Sequence, residues 1–153
     1  MLENQKKIWI TGASSGIGKA LALKFAKENW QVAISARREE LLDELAQRDN
    51  IYSFPLDVTD DDLVKKKFSE ILNKFKNLDL CVFCSGAYDP KLEQEINKKQ
   101  IRKIMDVNFF GVLNCIKAVE DYFKKKKDGQ ISIVSSVAAY RGLPNSSGYG
   151  PSK

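Results

Sequence analysis

The chain has 153 residues, 25 of them basic and 20 acidic, for a formal net charge of +5, a length that fits one domain with a real core. A composition of 43% hydrophobic and 29% charged residues excludes a disordered or collagen-like chain, and no window approaches the roughly 20 apolar residues of a membrane span. With no histidine there is no Ser-His-Asp triad, Cys-His pair or histidine-held zinc, so acid–base chemistry falls to carboxylates, Lys, Tyr or Cys.

Apolar runs of strand length alternate with stretches of helical period. Lys6 to Thr11 (KKIWIT) reads as a first strand. It breaks at Gly12-Ala13-Ser14-Ser15-Gly16, after which Ile17, Ala20, Leu21, Leu23 and Phe25 recur at helical spacing up to Asn29. Gln31 to Ala36 is a second strand, and Glu39 to Gln47 a helix carrying Leu41, Leu42 and Leu45. Ile51 to Pro55 is a third strand, and Asp60-Asp61-Asp62 opens a helix with Leu63, Val64, Phe68, Ile71 and Phe75. Acids at that end complement the helix dipole. Leu78 to Ser85 is a fourth apolar run, a long helical stretch covers Asn97 to Lys127, and Gln130 to Ser135 is a fifth strand.

Strands apolar along their whole length, separated by amphipathic helices, predict a parallel sheet covered on both faces. Right-handed crossovers make it an α/β doubly wound Rossmann fold with strand order 3-2-1-4-5, in a single domain over residues 1–153. Twenty of the basic residues are lysines, and the one dense run, Lys124 to Lys127, precedes Asp128-Gly129 where a helix should end. Cations are favoured there, so neither nucleic acid nor membrane is an expected partner. Three cysteines, an odd number, and an N-terminus (MLENQKK) without an apolar signal core predict a reducing, cytoplasmic setting. Cys81, Cys84 and Cys115 read as buried core thiols, since nothing nearby would activate them. No metal site is expected.

The glycine turn Thr11-Gly12-Ala13-Ser14-Ser15-Gly16-Ile17-Gly18 joins first strand to first helix. Such a turn brings backbone close to a pyrophosphate and aims free helix N–H groups at an anion. Three later features accompany it: Asn108 in MDVNFFG, Ser136 in IVSSVA, and Tyr149-Gly150-Pro151-Ser152-Lys153. With TGASSGIG they stand in the order of the short-chain dehydrogenase/reductase family, and the whole chain resembles the N-terminal part of that family. The spacing of 13 from Ser136 to Tyr149 favours Ser136 over Ser135. One departure is clear: the family's Asn-Asn-Ala-Gly after strand four is Phe83-Cys84-Ser85-Gly86 here, where only the glycine is kept.

The resemblance implies hydride transfer between a nicotinamide and an alcohol or carbonyl of a small-molecule substrate. Tyr149 would be the acid–base group. A free phenol titrates near ~10, and Lys153, one helical turn on, supplies the positive neighbour that it needs. Lys153 would also hydrogen-bond the nicotinamide ribose, Ser136 would orient the substrate oxygen, and Asn108 would hold a water that continues a proton path. Gly12, Ser14, Ser15, Gly16, Ile17, Gly18, Ser85 and Gly86 would line the cofactor, and Asp57 and Val58 after the third strand would meet its adenine. At the end of strand two, where an NAD enzyme carries an acid for the ribose hydroxyl, the chain reads Ser35-Ala36-Arg37-Arg38. Arginine forks bind phosphate oxygens well, so NADP(H) is the expected cofactor, with NAD(H) possible and Ser15 in place of a second basic contact. The family continues past the Tyr-x-x-x-Lys motif, so the chain reads as truncated and inefficient as it stands, a homo-oligomer at full length. The competing reading is a non-catalytic nucleotide- or partner-binding fragment.

Overall fold

A computed structural model describes residues 5–153. In chain order the elements are β1 (Lys7–Thr11), α1 (Gly16–Lys27), β2 (Gln31–Ser35), α2 (Glu39–Ala46), β3 (Ile51–Ser53), α3 (Asp61–Phe75) and β4 (Leu80–Phe83). There follow α4 (Lys98–Met105), a π-helical turn (Asp106–Phe110), α5 (Gly111–Lys126), β5 (Gln130–Ile133), a short 3₁₀ turn (Val137–Ala139) and α6 (Tyr149–Ser152). The five strands are parallel in the order β3-β2-β1-β4-β5, the order that the alternation of runs predicts.

β1 lies at the centre and is buried from end to end, which is why its sequence is apolar rather than alternating. Its two faces feed two cores. Ile8 and Ile10 join Val32, Ile34, Leu42 and Val82 on one side, while Trp9 joins Phe68, Phe75, Phe83 and Val119 on the other. Trp9 stacks on Phe68 at 5.8 Å, meets Phe83 edge-on at 5.7 Å, and donates its indole N–H to Ser35 Oγ at 2.9 Å. Burying an indole without that partner would be costly.

The strands are shorter than the apolar runs because the runs continue past the sheet into the loops of the cleft. Single backbone bonds extend the ladder there: Phe54 and Leu56 donate to Ile34 and Ala36, Cys84 to Thr11, and Val134 to Phe83. The acids before α3 act as expected, Asp60 accepting from the Leu63 amide at 2.9 Å. The lysine run ends α5: Lys124 pairs with Glu120, Lys126 bonds Asp79 and the Leu78 carbonyl, and Lys127 turns left-handed at φ 56°.

The stretch read as one helix over 97–127 is broken by the π turn around Asn108. A π turn inserts one extra residue and rotates a side chain out of helical register, and such turns often sit at functional sites. The sheet reverses its order of progression between β1 and β4, and a crevice opens there beyond the carboxyl ends of the strands. Among the described residues no helix is long and apolar enough to cross a membrane, and no group of three metal-ligating side chains forms.

Candidate active site

Two glycines of the turn after β1 have the left-handed backbone that side chains resist, Gly12 at φ +68° and Gly16 at φ +54°. At Gly12 space adds to the demand, because a Cβ there would lie 2.8 Å from the Cys84 carbonyl carbon and the Ser85 nitrogen. The turn therefore presses directly on the end of β4. A Cβ on Gly18 would meet the Gly12 carbonyl oxygen, so this glycine brings helix and strand together. Ser15, at the start of α1, makes no side-chain capping bond. The first-turn amides, which have no partner within the helix, are left to face the crevice.

That crevice is a cleft of about 580 Å³. Gly12, Ser14, Ser15, Gly16, Ile17, Gly18, Arg37, Arg38, Asp57, Val58, Ser85 and Gly86 all line it, so the turns after four strands converge on one space. Its rim on the β2 side is fixed by Arg38, whose Nη2 donates to Ser14 Oγ and Ser15 Oγ, both at 2.8 Å. Asp57 holds its own turn, Oδ1 accepting from the amide and hydroxyl of Thr59 at 3.0 and 2.9 Å. It does not cap α3, which is the work of Asp60.

At the opposite end of the cleft, Val107 of the π turn joins the lining, and Asn108 and Lys153 lie behind Gly86. Asn108 is buried; its Oδ1 accepts from the Ala87 amide at 2.6 Å, and its Nδ2 donates to the Ala87 carbonyl and to Ser152 Oγ at 3.0 and 2.9 Å. One lone pair of Oδ1 is left over. Lys153 sends its ammonium to the Val134 carbonyl at 2.6 Å, and burial lowers its pKa from the ordinary lysine range. Gly86 stands between these two groups: a Cβ there would lie 3.7 Å from Asn108 Oδ1 and 3.9 Å from Lys153 Nζ. Cys84 departs from the core-thiol expectation. Cys81 and Cys115 are buried, but Cys84 is half-buried and lines the cleft. Burial pushes its pKa up to about 11, against the opposing pull of the Lys153 ammonium, so it is held as a thiol rather than a nucleophilic thiolate.

Tyr149 opens α6 and is half-buried, its ring lying 4.3 Å from that of Tyr88 at 30°. The Tyr88 hydroxyl reaches the Asn145 carbonyl at 3.2 Å. Ser136 Oγ accepts from the Ala138 amide at 3.2 Å, which leaves its O–H free to donate. Ser135 is committed elsewhere, donating to the Lys153 carbonyl at 2.8 Å. Residue-by-residue reading missed three participants: Ser152, Tyr88 and Glu93, the last of which accepts from the Gly148 and Tyr149 amides. Only Ser152 had a local signal, its place inside the Tyr-x-x-x-Lys motif.

The chain is 37% identical over 155 aligned positions to an NADPH-dependent 1-acyldihydroxyacetone phosphate reductase of Schizosaccharomyces pombe, covering 99% of this chain and 51% of that protein. It superposes on a short-chain dehydrogenase from Streptomyces avermitilis with a TM-score of 0.89 at 26% identity, covering 100% of this chain and 56% of that one. ElxO, solved with NADP bound, matches with a TM-score of 0.88 at 29% identity, over 97% of this chain and 62% of that one. The chain spans about half the length of the curated relatives it matches. The short chain dehydrogenase family matches residues 6–153, essentially all that the structure describes, and the chain belongs to that family of oxidoreductases.

Proposed function

We propose that the protein at its natural length is an NADP(H)-dependent oxidoreductase that interconverts an alcohol and a carbonyl on a small-molecule substrate, with residues 1–153 as its nucleotide-binding Rossmann domain. The observation that carries this reading is convergence: Gly86, which lines the cleft together with the glycine turn, stands beside both Asn108 Oδ1 and Lys153 Nζ, although most of a chain separates these residues. The cleft also fits the cofactor. Gly12 and Gly18 leave no room for side chains, nothing lies within 4 Å of a Cβ on Gly16, and the α1 amides there are uncapped. That suits a pyrophosphate. When bound, the nicotinamide supplies or accepts the hydride.

The chain's own groups would do the rest. Tyr149 would pass a proton between its phenol oxygen and the substrate oxygen. Ser136, with its hydroxyl proton uncommitted, would donate to that same oxygen and orient it. Asn108 would use its remaining lone pair to hold a water leading away from Lys153. For the cofactor choice, Arg38 uses both protons of Nη2 on Ser14 and Ser15, which leaves three N–H groups for phosphate oxygens. No carboxylate among the cleft-lining residues of the β2 turn, Ala36, Arg37 and Arg38, would repel a 2′-phosphate. The fission-yeast relative is named for NADPH, and ElxO binds NADP. The test is NADPH consumption by the natural-length protein with a panel of aldehydes and ketones, in wild type and Tyr149→Phe. General acid–base catalysis is worth about 10²–10⁴ in rate, so the Phe variant should lose that much while NADPH affinity holds. Near-normal turnover in the variant would remove Tyr149 from the reaction.

A further inference from the structure

α6 is four residues long and opens with Gly148 at the capping position. The first amides of a helix need an acceptor from outside, and a capping side chain ordinarily supplies it. Here it cannot. A Cβ on Gly148 would lie 3.2 Å from Ile101 Cα and 3.3 Å from side-chain atoms of Ile101 and Ile104, so the backbone packs flush against α4.

The acceptor comes from 55 residues away. Glu93, in the loop between β4 and α4, is 3% exposed, and its Oε2 accepts from the Gly148 amide at 2.6 Å and the Tyr149 amide at 2.9 Å. Its Oε1 is buried with no hydrogen-bond partner. Among the described residues no lysine or arginine forms an ion pair with it. An uncompensated buried carboxylate is disfavoured, and two charge-assisted bonds to one backbone site are what this one gains. The same loop carries Tyr88, whose ring packs on Tyr149 and whose hydroxyl bonds the Asn145 carbonyl. The loop thus grips the chain just before Tyr149, at its amide, and on its ring.

We infer that Glu93 is a positioning residue for Tyr149, fixing the start of α6 so that the Tyr149 ring is held against Tyr88. Farther along α6, Ser152 is held separately by Asn108. Glu93 therefore controls the start of α6, which carries the phenol. The inference rests on the proposal that Tyr149 is the acid–base group, but its geometry is tested without turnover.

The experiment uses the natural-length protein with ¹³C-labelled tyrosine. Exchange of the Gly148 and Tyr149 amides and the ring signals of Tyr149 are followed in wild type, Glu93→Ala and Glu93→Gln, with Tyr88→Leu marking where the Tyr149 signals fall without a neighbouring ring. In Glu93→Ala both amides should exchange roughly tenfold or more faster, and the Tyr149 signals should move toward their Tyr88→Leu positions. Gln keeps an acceptor oxygen and should restore both. Unmoved ring signals in Glu93→Ala would reduce Glu93 to a cap and overturn the inference, as would a Gln variant as loose as Ala. Exchange in β1 is the control for the fold. If Ala loosens β1 as well, Glu93→Asp, with its carboxylate drawn back by one methylene, takes its place under the same criteria. Failure of Tyr149→Phe to affect turnover would count against the activity and leave these readouts standing.

Discussion

The two walls of the candidate site, the glycine turn that lines the cleft and the Tyr149 segment beyond Gly86, are made by opposite means. The glycine-turn wall is backbone: two positive-φ glycines, a strand end pressed against Gly12, and a helix start left without a cap. The Tyr149 wall is side chains reaching across the fold, with Asn108 on Ala87 and Ser152, Glu93 on α6, and Lys153 on the Val134 carbonyl. One wall fails when atoms are added, the other when they are removed. A pyrophosphate can be met by amides alone, whereas proton transfer needs particular groups at particular places.

Adding one carbon is the strongest test of the first wall. In Gly18→Ala the new methyl meets the Gly12 carbonyl oxygen, and both partners are backbone, so neither can swing away. Overpacking of this kind costs about 1–3 kcal/mol, and backbone that cannot yield puts it at the upper end. Thermal unfolding should show that loss together with greatly weakened NADPH binding. A Gly18→Ala protein of wild-type stability would mean that the strand-to-helix contact is looser than described. Removing atoms tests the second wall. Asn108→Ala deletes three hydrogen bonds and leaves the Ala87 amide and carbonyl short of partners. A buried unsatisfied group costs about 1–3 kcal/mol, so about 2 kcal/mol of stability should go, with NADPH affinity falling less than in Gly18→Ala. Equal damage to both properties would erase the distinction between the walls.

The same contrast decides what could be read from sequence. The backbone wall is local. Its strand, turn and helix lie between Lys7 and Lys27, and the glycines announce it because only they fit the conformation. The strand order followed from period and crossover rules for a similar reason. On the other wall, Tyr149 and Lys153 were legible as one turn of a single helix, but their supports were not. Glu93 acts on amides 55 positions later, and a lone glutamate in a polar loop resembles any solvated acid. The π turn escaped because one inserted residue barely disturbs an apolar period. Cys84 reads as core because no activating partner stands near it in the sequence, but it sits where its apolar run leaves the sheet and enters the cleft.

Arg38 blurs the contrast, since it brings a side chain onto the backbone wall through Ser14 and Ser15. Arg37 lies beside it, exposed on the same rim. Arg37→Ala and Arg38→Ala should each weaken NADPH binding roughly tenfold, about 1.4 kcal/mol, and leave NADH nearly unaffected. Direct titration of both cofactors reads this. Equal wild-type affinities for NADPH and NADH, or parallel losses for both, would return the arginines to a structural role on the rim.

The smallest effect is expected at Asp57, where the two kinds of wall meet. One carboxylate oxygen is spent on the turn, accepting from the Thr59 amide and hydroxyl, and the other makes no hydrogen bond to the described residues and, in the proposed reading, would meet the adenine amino group. Removing both functions in Asp57→Ala should weaken NADPH binding several-fold, about 1 kcal/mol. Stability should fall by less than that, because the first turn of α3 keeps its own acceptor. Asp60→Ala isolates this second term: it deletes the bond to the Leu63 amide, and losing such a cap costs about 1 kcal/mol. The Asp60 variant should therefore unfold earlier while binding NADPH as before. The Asp57 variant should do the reverse. If Asp57→Ala instead follows Asp60→Ala, losing stability with its NADPH affinity intact, the carboxylate serves the turn alone, and the adenine end of the cleft is read by backbone like the rest of its wall.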